Sequence, residues 1–338
     1  MGTVRGAVAP ELWEGVVRAA LGGGRRPVAV ERLRGGSKKG VYRLRLDDGS
    51  GVVVYRWADA ENYWPGAGDG PGAGNGETGG ERDPLSPASG LALFEAAHRR
   101  LAALGVRTPR LYLADGGRTL HPADLAVVED VPGENLETLL GRDPRAAEPV
   151  LARLADALGL LREHRAPYLG RTAPSGAGAV PTSRSSERLV IDRALADLAE
   201  GAARDARLAA AEEQLAALVQ AHGAAVRPRA EYGLVHGELG PDHVLVDRHG
   251  HPVLIDIEGL MHFDVEWEHA FLRIRFGEHY RWLAHDGLDE QRLALHTLAM
   301  RLALVAGPLR LLDGDFPDRG AMRGIAEHNL RAALALLR

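Results

Sequence analysis

The chain has 338 residues, 45% of them hydrophobic and 26% charged, which are values of a globular protein. Its formal net charge of −5 argues against a nucleic-acid surface, and the absence of cysteine excludes disulfides and thiolate metal sites. No apolar run approaches the roughly 20 residues of a bilayer span, and no signal sequence opens the chain, so we expect a cytoplasmic protein without a membrane partner. The length favours two lobes over one small core.

A helix and three antiparallel strands are predicted for the N-terminal part. Apolar residues recur at helical spacing over residues 10–21, and short apolar runs predict strands at 28–33, 41–46 and 52–57. The connection between the first two strands, RGGSKKG, holds the only two lysines of the chain. Glycines let backbone amides approach phosphate oxygens, although a glycine-rich hairpin alone is weak evidence. The candidate phosphate contacts are Gly35, Gly36, Ser37, Lys38 and Lys39.

A second helix and two further strands complete the predicted sheet. The glycine-rich tract at residues 65–80 can bury almost nothing, which predicts a disordered insertion within 65–86. A helix is predicted at 89–104, and strands at 110–113 and 125–131. The rest is mainly helical: one helix at 144–164, two within 186–224, and others after 267 with breaks near Gly287, at 307–308 and at 313–320.

Residues 234–258 combine a short strand, a polar loop and a hairpin. Apolar runs at 244–246 and 253–255 flank the turn sequence DRHGHP, which predicts paired strands. The polar residues near the strand ends are His236, Glu238, Asp242, His243, Asp256 and Glu258. A cluster of carboxylates and imidazoles is costly unless it binds a cation or takes part in catalysis. This segment is the predicted functional site.

The motif HGxLxxxxVLVD, followed one hairpin later by IDxE, resembles the catalytic and metal-binding segments of aminoglycoside phosphotransferase-like kinases, the small-molecule relatives of protein kinases. Both motifs occur in the family's order and at its separation. The resemblance implies an α+β, bilobal protein-kinase-like fold, with an antiparallel-sheet N-lobe at residues 1–131 and a mainly helical C-lobe at 132–338. It also implies Mg²⁺ and ATP as cofactors, with GTP as an alternative nucleotide.

The resemblance assigns roles to four polar residues. Glu238 occupies the position of the catalytic aspartate, and His236 that of the histidine that orients the catalytic loop. His243 stands in place of the metal-binding asparagine, as in macrolide kinases of the same superfamily, and Asp256 in place of the main magnesium carboxylate. The extra methylene of Glu238 matters, because a displacement on the order of 1 Å can cost about a hundredfold in rate.

In kinases the third strand carries a lysine that pairs with the phosphates and with a helix glutamate. Here that strand reads VVVYRW, so the lysine is missing. Arg56 is the nearest cation by register, and Lys38 or Lys39 reaching in from the loop is the alternative. Glu95 is the candidate for the helix glutamate.

The resemblance also places an inter-lobe hinge and extends the acidic edge of the site. The EDVP segment at 129–132 corresponds to the hinge, where the main chains of Glu129 and Val131 would bind adenine. Three acidic residues are candidates for contacts with a cationic substrate: Glu258, Asp264 and Glu266. The resemblance also places Asp264 at the position of a structural aspartate of the family.

The expected activity is transfer of the γ-phosphate of ATP to a hydroxyl of a small molecule, such as an aminoglycoside, a macrolide or a metabolite. Six histidines between His236 and His269 raise a metal hydrolase as a rival, but no HExxH motif occurs. The absence of GxxxxGK[ST] excludes a Walker-type nucleotidase. The missing strand lysine and Glu238 leave open a pseudokinase, which binds nucleotide or acts as a scaffold without catalysis.

Overall fold

The computed structural model describes residues 9–33, 36–64, 84–86, 89–172 and 184–338. The tract predicted to be disordered lies outside these ranges, apart from residues 84–86. The N-terminal part contains two α-helices and five strands: α1 Glu14–Leu21, β1 Pro27–Arg32, β2 Gly40–Leu46, β3 Gly51–Trp57, α2 Leu91–Ala103, β4 Leu111–Asp115 and β5 Asp124–Glu129. All five strands pair antiparallel in the order β1-β2-β3-β5-β4, which confirms the predicted sheet.

The two faces of this sheet pack against different parts of the chain, because successive side chains of a strand point to opposite faces. Val52 and Val54 lie in a cluster with Trp13, which precedes α1. Val53 and Tyr55 face the other way, toward Phe94 on α2 and the helices that follow the sheet. Helix α2 also packs on the turn at Ile257–Gly259, so this second face borders the predicted functional site.

The C-terminal part is mainly helical and carries six short strands. Its elements are α3 Leu136–Arg142, α4 Pro144–Glu163, β6 Arg165–Ala166, β7 Gly170–Arg171, α5 Ser186–Ala202, α6 Ala206–Ala210, α7 Glu212–Ala225, β8 Tyr232–Val235, β9 Val244–Val246, β10 Pro252–Leu254, β11 Met261–Phe263, α8 Val265–Phe276, α9 Glu290–Asp313 and α10 Arg319–Ala335. The predicted hairpin is present as the antiparallel pair β9 and β10. Residues 186–224 form three helices, not the predicted two, because Asp205 caps a separate short helix.

Helix α9 continues through Gly307 and Pro308, where the sequence predicts a break. Both residues are buried, and a Cβ at Gly307 would press against the Trp64 ring at 3.3 Å. Tertiary packing therefore outweighs the local helix-breaking tendency of this pair. Within the described ranges, α9 is the one helix long and apolar enough to span a bilayer, but 61% of that window is buried in the fold among neighbouring helices.

Candidate active site

The loop that follows β8 is held from two sides. His236 is fully buried and donates a hydrogen bond from Nε2 to the Ile255 carbonyl oxygen at 3.0 Å. Gly237 adopts a φ of 95° and donates its N–H to Glu268 Oε2 at 2.9 Å. Burial lowers the pKa of the His236 imidazole, which favours its neutral form. His236 therefore positions the loop and has no exposed surface for a substrate.

The same loop brings Glu238 and His243 to the site. The Glu238 side chain is exposed, while its carbonyl oxygen accepts a hydrogen bond from His243 Nδ1 at 2.7 Å. Because a carbonyl oxygen only accepts, Nδ1 carries a proton and Nε2 faces Asp256 Oδ2 at 3.8 Å. Burial favours the neutral imidazole, but the Asp256 and Asp242 carboxylates outweigh it and raise the pKa of His243.

Asp256 lies at the centre of the arrangement. Its φ of 58° and ψ of 45° are left-handed, a conformation rare outside glycine and enriched at functional sites. Oδ1 accepts a hydrogen bond from Lys39 Nζ at 2.6 Å, and the side chain remains 41% exposed. Burial favours protonation of this carboxyl, but the Lys39 ammonium and the His243 imidazole outweigh it and hold the pKa of Asp256 below its usual range. Asp256 is therefore an anion that retains access to solvent.

Lys39 connects the glycine-rich loop to the segment around Asp256. Its Nζ also contacts Glu258 Oε1 at 2.5 Å, and the residue is only 8% exposed. Burial alone would lower the pKa of the ammonium, but Asp256 and Glu258 raise it above the ordinary value. Two segments more than 200 residues apart thus meet through a charged lysine.

Arg56 lies on the opposite face of the sheet. It is 2% exposed, donates to the Tyr42 hydroxyl at 3.0 Å, and forms an ion pair with Glu61. Glu61 is fully buried and also accepts from the Tyr42 hydroxyl at 2.5 Å. This placement corrects the expectation that Arg56 pairs with Glu95 of α2 and faces the nucleotide.

The described part of the glycine-rich loop, residues 36–39, rests on residues 62–64; Gly35 lies outside the described ranges. Ser37 Oγ accepts from Trp64 Nε1 at 3.1 Å, and the Ser37 carbonyl oxygen accepts from the Tyr63 N–H at 2.9 Å. The Lys38 ammonium lies 5.7 Å from the centroid of the Trp64 ring. A side chain at Gly36 would collide with the Lys39 carbonyl oxygen, so this close turn requires glycine.

The predicted hinge follows β5. The Glu129 carboxylate pairs with Arg107 at 2.9 Å, and its main-chain N–H donates to the Arg110 carbonyl oxygen at 2.8 Å. Val131 is 5% exposed, and its main chain forms no hydrogen bond with any other residue that the structure describes. Among the described residues, the N–H of Glu129 therefore has an internal hydrogen-bond partner and the main chain of Val131 has none.

The acidic residues predicted to meet a cationic substrate are buried. Glu258, Asp264 and Glu266 are 4%, 0% and 2% exposed. Asp264 accepts from Arg292 at 2.6 Å, and Glu266 is held by both terminal nitrogens of Arg229 at 2.8 and 3.0 Å. Internal pairing therefore replaces the substrate contact expected from the sequence.

The profile of the phosphotransferase enzyme family (APH) matches residues 29–296. The chain belongs to this family. Comparison with curated protein sequences gives no match. The apo form of a thermostable mutant of aminoglycoside phosphotransferase APH(4)-Ia is similar in structure, with a TM-score of 0.61, 16% identity, and coverage of 96% of this chain and 99% of that one.

Two other kinase structures share the fold of this phosphotransferase. Choline kinase LicA from Streptococcus pneumoniae aligns with a TM-score of 0.60 and 13% identity over 96% of this chain and 98% of that one. A putative fructosamine-3-kinase from Thermobifida fusca gives a TM-score of 0.51 and 19% identity over 97% and 100%. The family match identifies a phosphotransferase, and these structures share the predicted α+β kinase-like fold.

The residues of this phosphotransferase fit magnesium unequally. Asp256 offers a partly exposed, ionised carboxylate, the ligand type that Mg²⁺ prefers. His243 offers a nitrogen, which suits this hard cation less well than a hydrogen bond to a metal-bound water. No cluster of three or more ligand side chains occurs in the described ranges.

Several residues of this phosphotransferase site were not identified from the sequence. Tyr55 occupies the inward position of β3, with its ring centroid 5.3 Å from Lys39 Nζ. Arg275 pairs with Asp242 at 2.8 Å in the loop that follows β8. The sequence gives no signal for Arg275, and it gives none for the orientation of Tyr55, because both faces of β3 are buried.

Proposed function

We propose that this phosphotransferase moves the γ-phosphate of ATP to a hydroxyl of a small molecule in a magnesium-dependent reaction, with GTP as the alternative donor. The arrangement around Asp256 carries the proposal. A left-handed, partly exposed carboxylate lies 2.6 Å from the Lys39 ammonium and 3.8 Å from the His243 imidazole, with the exposed Glu238 on the same loop. We place the nucleotide between an N-lobe at residues 1–131 and a C-lobe at 132–338, in a cytoplasmic enzyme.

Phosphoryl transfer requires positioned groups and electrostatic stabilisation more than covalent chemistry from the protein. In this proposal Glu238 accepts the proton of the attacking hydroxyl, because its carboxylate is the exposed one on the catalytic loop. Asp256 would hold the metal through its carboxylate, and the His243 imidazole would support it by a hydrogen bond. When bound, magnesium would neutralise part of the phosphate charge. Val131 supplies main-chain hydrogen bonds to the adenine.

The acceptor belongs to the classes handled by proteins of this fold. Structurally similar proteins include an aminoglycoside phosphotransferase crystallised with ADP and hygromycin B, a choline kinase, and a putative fructosamine-3-kinase. We propose an aminoglycoside, a macrolide, an amino alcohol or a sugar derivative. Recognition of a cationic acceptor by Glu258, Asp264 or Glu266 is not part of this proposal, because all three are buried and paired.

Calorimetric titration tests the nucleotide part. ATP and GTP are titrated with and without Mg²⁺ into the wild type, Asp256→Asn, and the control Asp313→Asn, which alters a carboxylate that is 54% exposed on α9. We expect magnesium-dependent binding by the wild type and the control, and its loss in Asp256→Asn. Failure of the wild type to bind either nucleotide would refute the proposed function.

A panel of hydroxyl acceptors, assayed by ADP release, tests the transfer step. Acceptor-dependent ADP release that Glu238→Gln abolishes, with MgATP affinity unchanged, supports transfer. Binding of MgATP without ADP release for any acceptor class named above would instead identify a pseudokinase.

A further inference from the structure

We propose that Lys39 is the phosphate-binding lysine of this enzyme and that Glu258 is the carboxylate that positions it. The lysine–glutamate pair that kinases form between the third strand and a helix would then be relocated to the glycine-rich loop and to the segment that follows Asp256. This inference rests on the proposed ATP-dependent function.

The third strand, β3, cannot supply a cation to the face of the sheet that borders the site. Tyr55 occupies the inward face of β3 and packs against Phe94, with ring centroids 5.5 Å apart. One residue further on, the side chain points to the other face. There Arg56 is 2% exposed and bound to Glu61 and Tyr42. Moving it to the site would leave a buried glutamate without its main partner.

Lys39 supplies this cation from the loop that precedes the neighbouring strand, β2. It directly precedes β2, and its Nζ lies 5.3 Å from the centroid of the Tyr55 ring, 2.6 Å from Asp256 Oδ1 and 2.5 Å from Glu258 Oε1. An ammonium group has three N–H donors. The two carboxylates occupy two of them, which leaves the third for a phosphate oxygen next to Asp256.

Glu258 has the properties of a positioning residue. It is 4% exposed, so it meets neither substrate nor solvent, and Oε1 accepts from Lys39. Its other oxygen, Oε2, is buried and has no hydrogen-bond partner among the residues that the structure describes. Lys39 would therefore keep its contact with Glu258 if Asp256 held a metal ion.

The experiment measures MgATP affinity and basal MgATP hydrolysis, in which water is the acceptor, for a set of lysine variants. Arg45→Met is the control, because it removes an exposed cation from β2, the strand that follows Lys39. We expect Lys39→Met to lower hydrolysis about 100-fold or more, as removal of one preorganised electrostatic donor does. Arg45→Met should stay within about threefold of the wild type, because substitution of an exposed residue outside the site has little effect.

Two further variants separate catalysis from folding. Lys39→Arg keeps the buried charge but replaces a compact ammonium by a forked guanidinium, so it should retain the urea unfolding midpoint and still lose hydrolysis. Tyr55→Lys in the Lys39→Met background returns a lysine to the inward face of β3, and should raise hydrolysis above that of Lys39→Met alone.

Glu258→Gln tests positioning by a double-mutant cycle. It should lower hydrolysis in the wild-type background and have no further effect once Lys39 is Met, an outcome that a structural role would not produce. If the wild type binds MgATP and the folded Lys39→Arg variant hydrolyses it at the wild-type rate, the relocated lysine is refuted but the proposed function is not. Absence of MgATP binding by the wild type would overturn both.

Discussion

The ion pair between Arg56 and Glu61 makes a sharp prediction about stability. Both residues are buried on the face of the sheet away from Asp256, where Glu61 also accepts hydrogen bonds from Tyr42 and Arg32, each at 2.5 Å. Arg56→Met should therefore weaken the fold of the sheet and leave MgATP binding nearly unchanged. The sequence alone suggested the reverse, because Arg56 is the cation nearest to the missing strand lysine.

The size of the effect follows from burial. Removing one partner of a buried pair costs about 3–5 kcal/mol, since the other charge is left uncompensated. The lower end applies here, because Arg32, 27% exposed, remains bound to Glu61. We expect a loss of about 3 kcal/mol for Arg56→Met and a similar loss for Glu61→Gln. The double variant should lose about 2 kcal/mol less than their sum, because the second change removes the group that the first left unpaired.

Urea unfolding followed by circular dichroism and tryptophan fluorescence measures these values. Trp13, whose ring centroid is 5.7 Å from that of Tyr42, reports on this face of the sheet. Arg45→Met on β2 is the control, because Arg45 is exposed and should shift stability by no more than about 0.5 kcal/mol. Loss of MgATP binding by Arg56→Met with an unchanged unfolding midpoint would show that Arg56 serves the nucleotide and that the reasoning is wrong.

Three further predictions concern pH, the catalytic carboxylate and the core of the C-terminal part. Burial and the nearby His164 lower the pKa of His262 to about 4. Since the unfolded value is about 6.5, stability should fall by up to about 3 kcal/mol as the pH drops from about 6.5 to 4. His262→Phe should reduce that fall in urea midpoints measured at pH 7.5 and 5; an unchanged fall would contradict it. Glu238→Asp should raise acceptor-dependent ADP release if the extra methylene misplaces the carboxylate, and a lower rate would show that the site is built for glutamate. Arg292→Met should lower the urea midpoint by the equivalent of about 3–5 kcal/mol, because it leaves Asp264 buried without its closest cation; a midpoint within experimental error would contradict this.

Elements with clear periodicity or turn chemistry could be predicted from the sequence. The first three strands were expected at 28–33, 41–46 and 52–57 and are Pro27–Arg32, Gly40–Leu46 and Gly51–Trp57. The turn sequence between the apolar runs gave the hairpin of β9 and β10 in the same way. These signals are local, because residue spacing and turn residues act over a few positions and do not depend on which element the segment pairs with.

The direction of the β3 side chains could not be predicted. Residues 52–56 are all buried, since both faces of this central strand are covered, and a strand buried on both faces shows no alternation. The sequence therefore could not decide whether Tyr55 or Arg56 faces the nucleotide. Likewise, acidic residues near the site looked available for a substrate, because their partners Arg229 and Arg292 come from distant positions.

The geometry of the site explains an unusual feature of the amino-acid composition, the lysine at position 39. Arginine is the cation everywhere in this chain except at two adjacent positions, Lys38 and Lys39. The surroundings of Lys39 explain one of them: at a residue 8% exposed, between two carboxylates and an aromatic ring, a compact ammonium can direct one N–H to each carboxylate and a third to a phosphate, whereas a planar guanidinium directs its donors differently. Lys38 has no such constraint, because its ammonium lies over one face of the Trp64 ring, where a guanidinium stacks equally well. Lys38→Arg should therefore leave MgATP hydrolysis unchanged, whereas Lys39→Arg should lower it. The two lysines are adjacent in the sequence, but only position 39 requires a lysine.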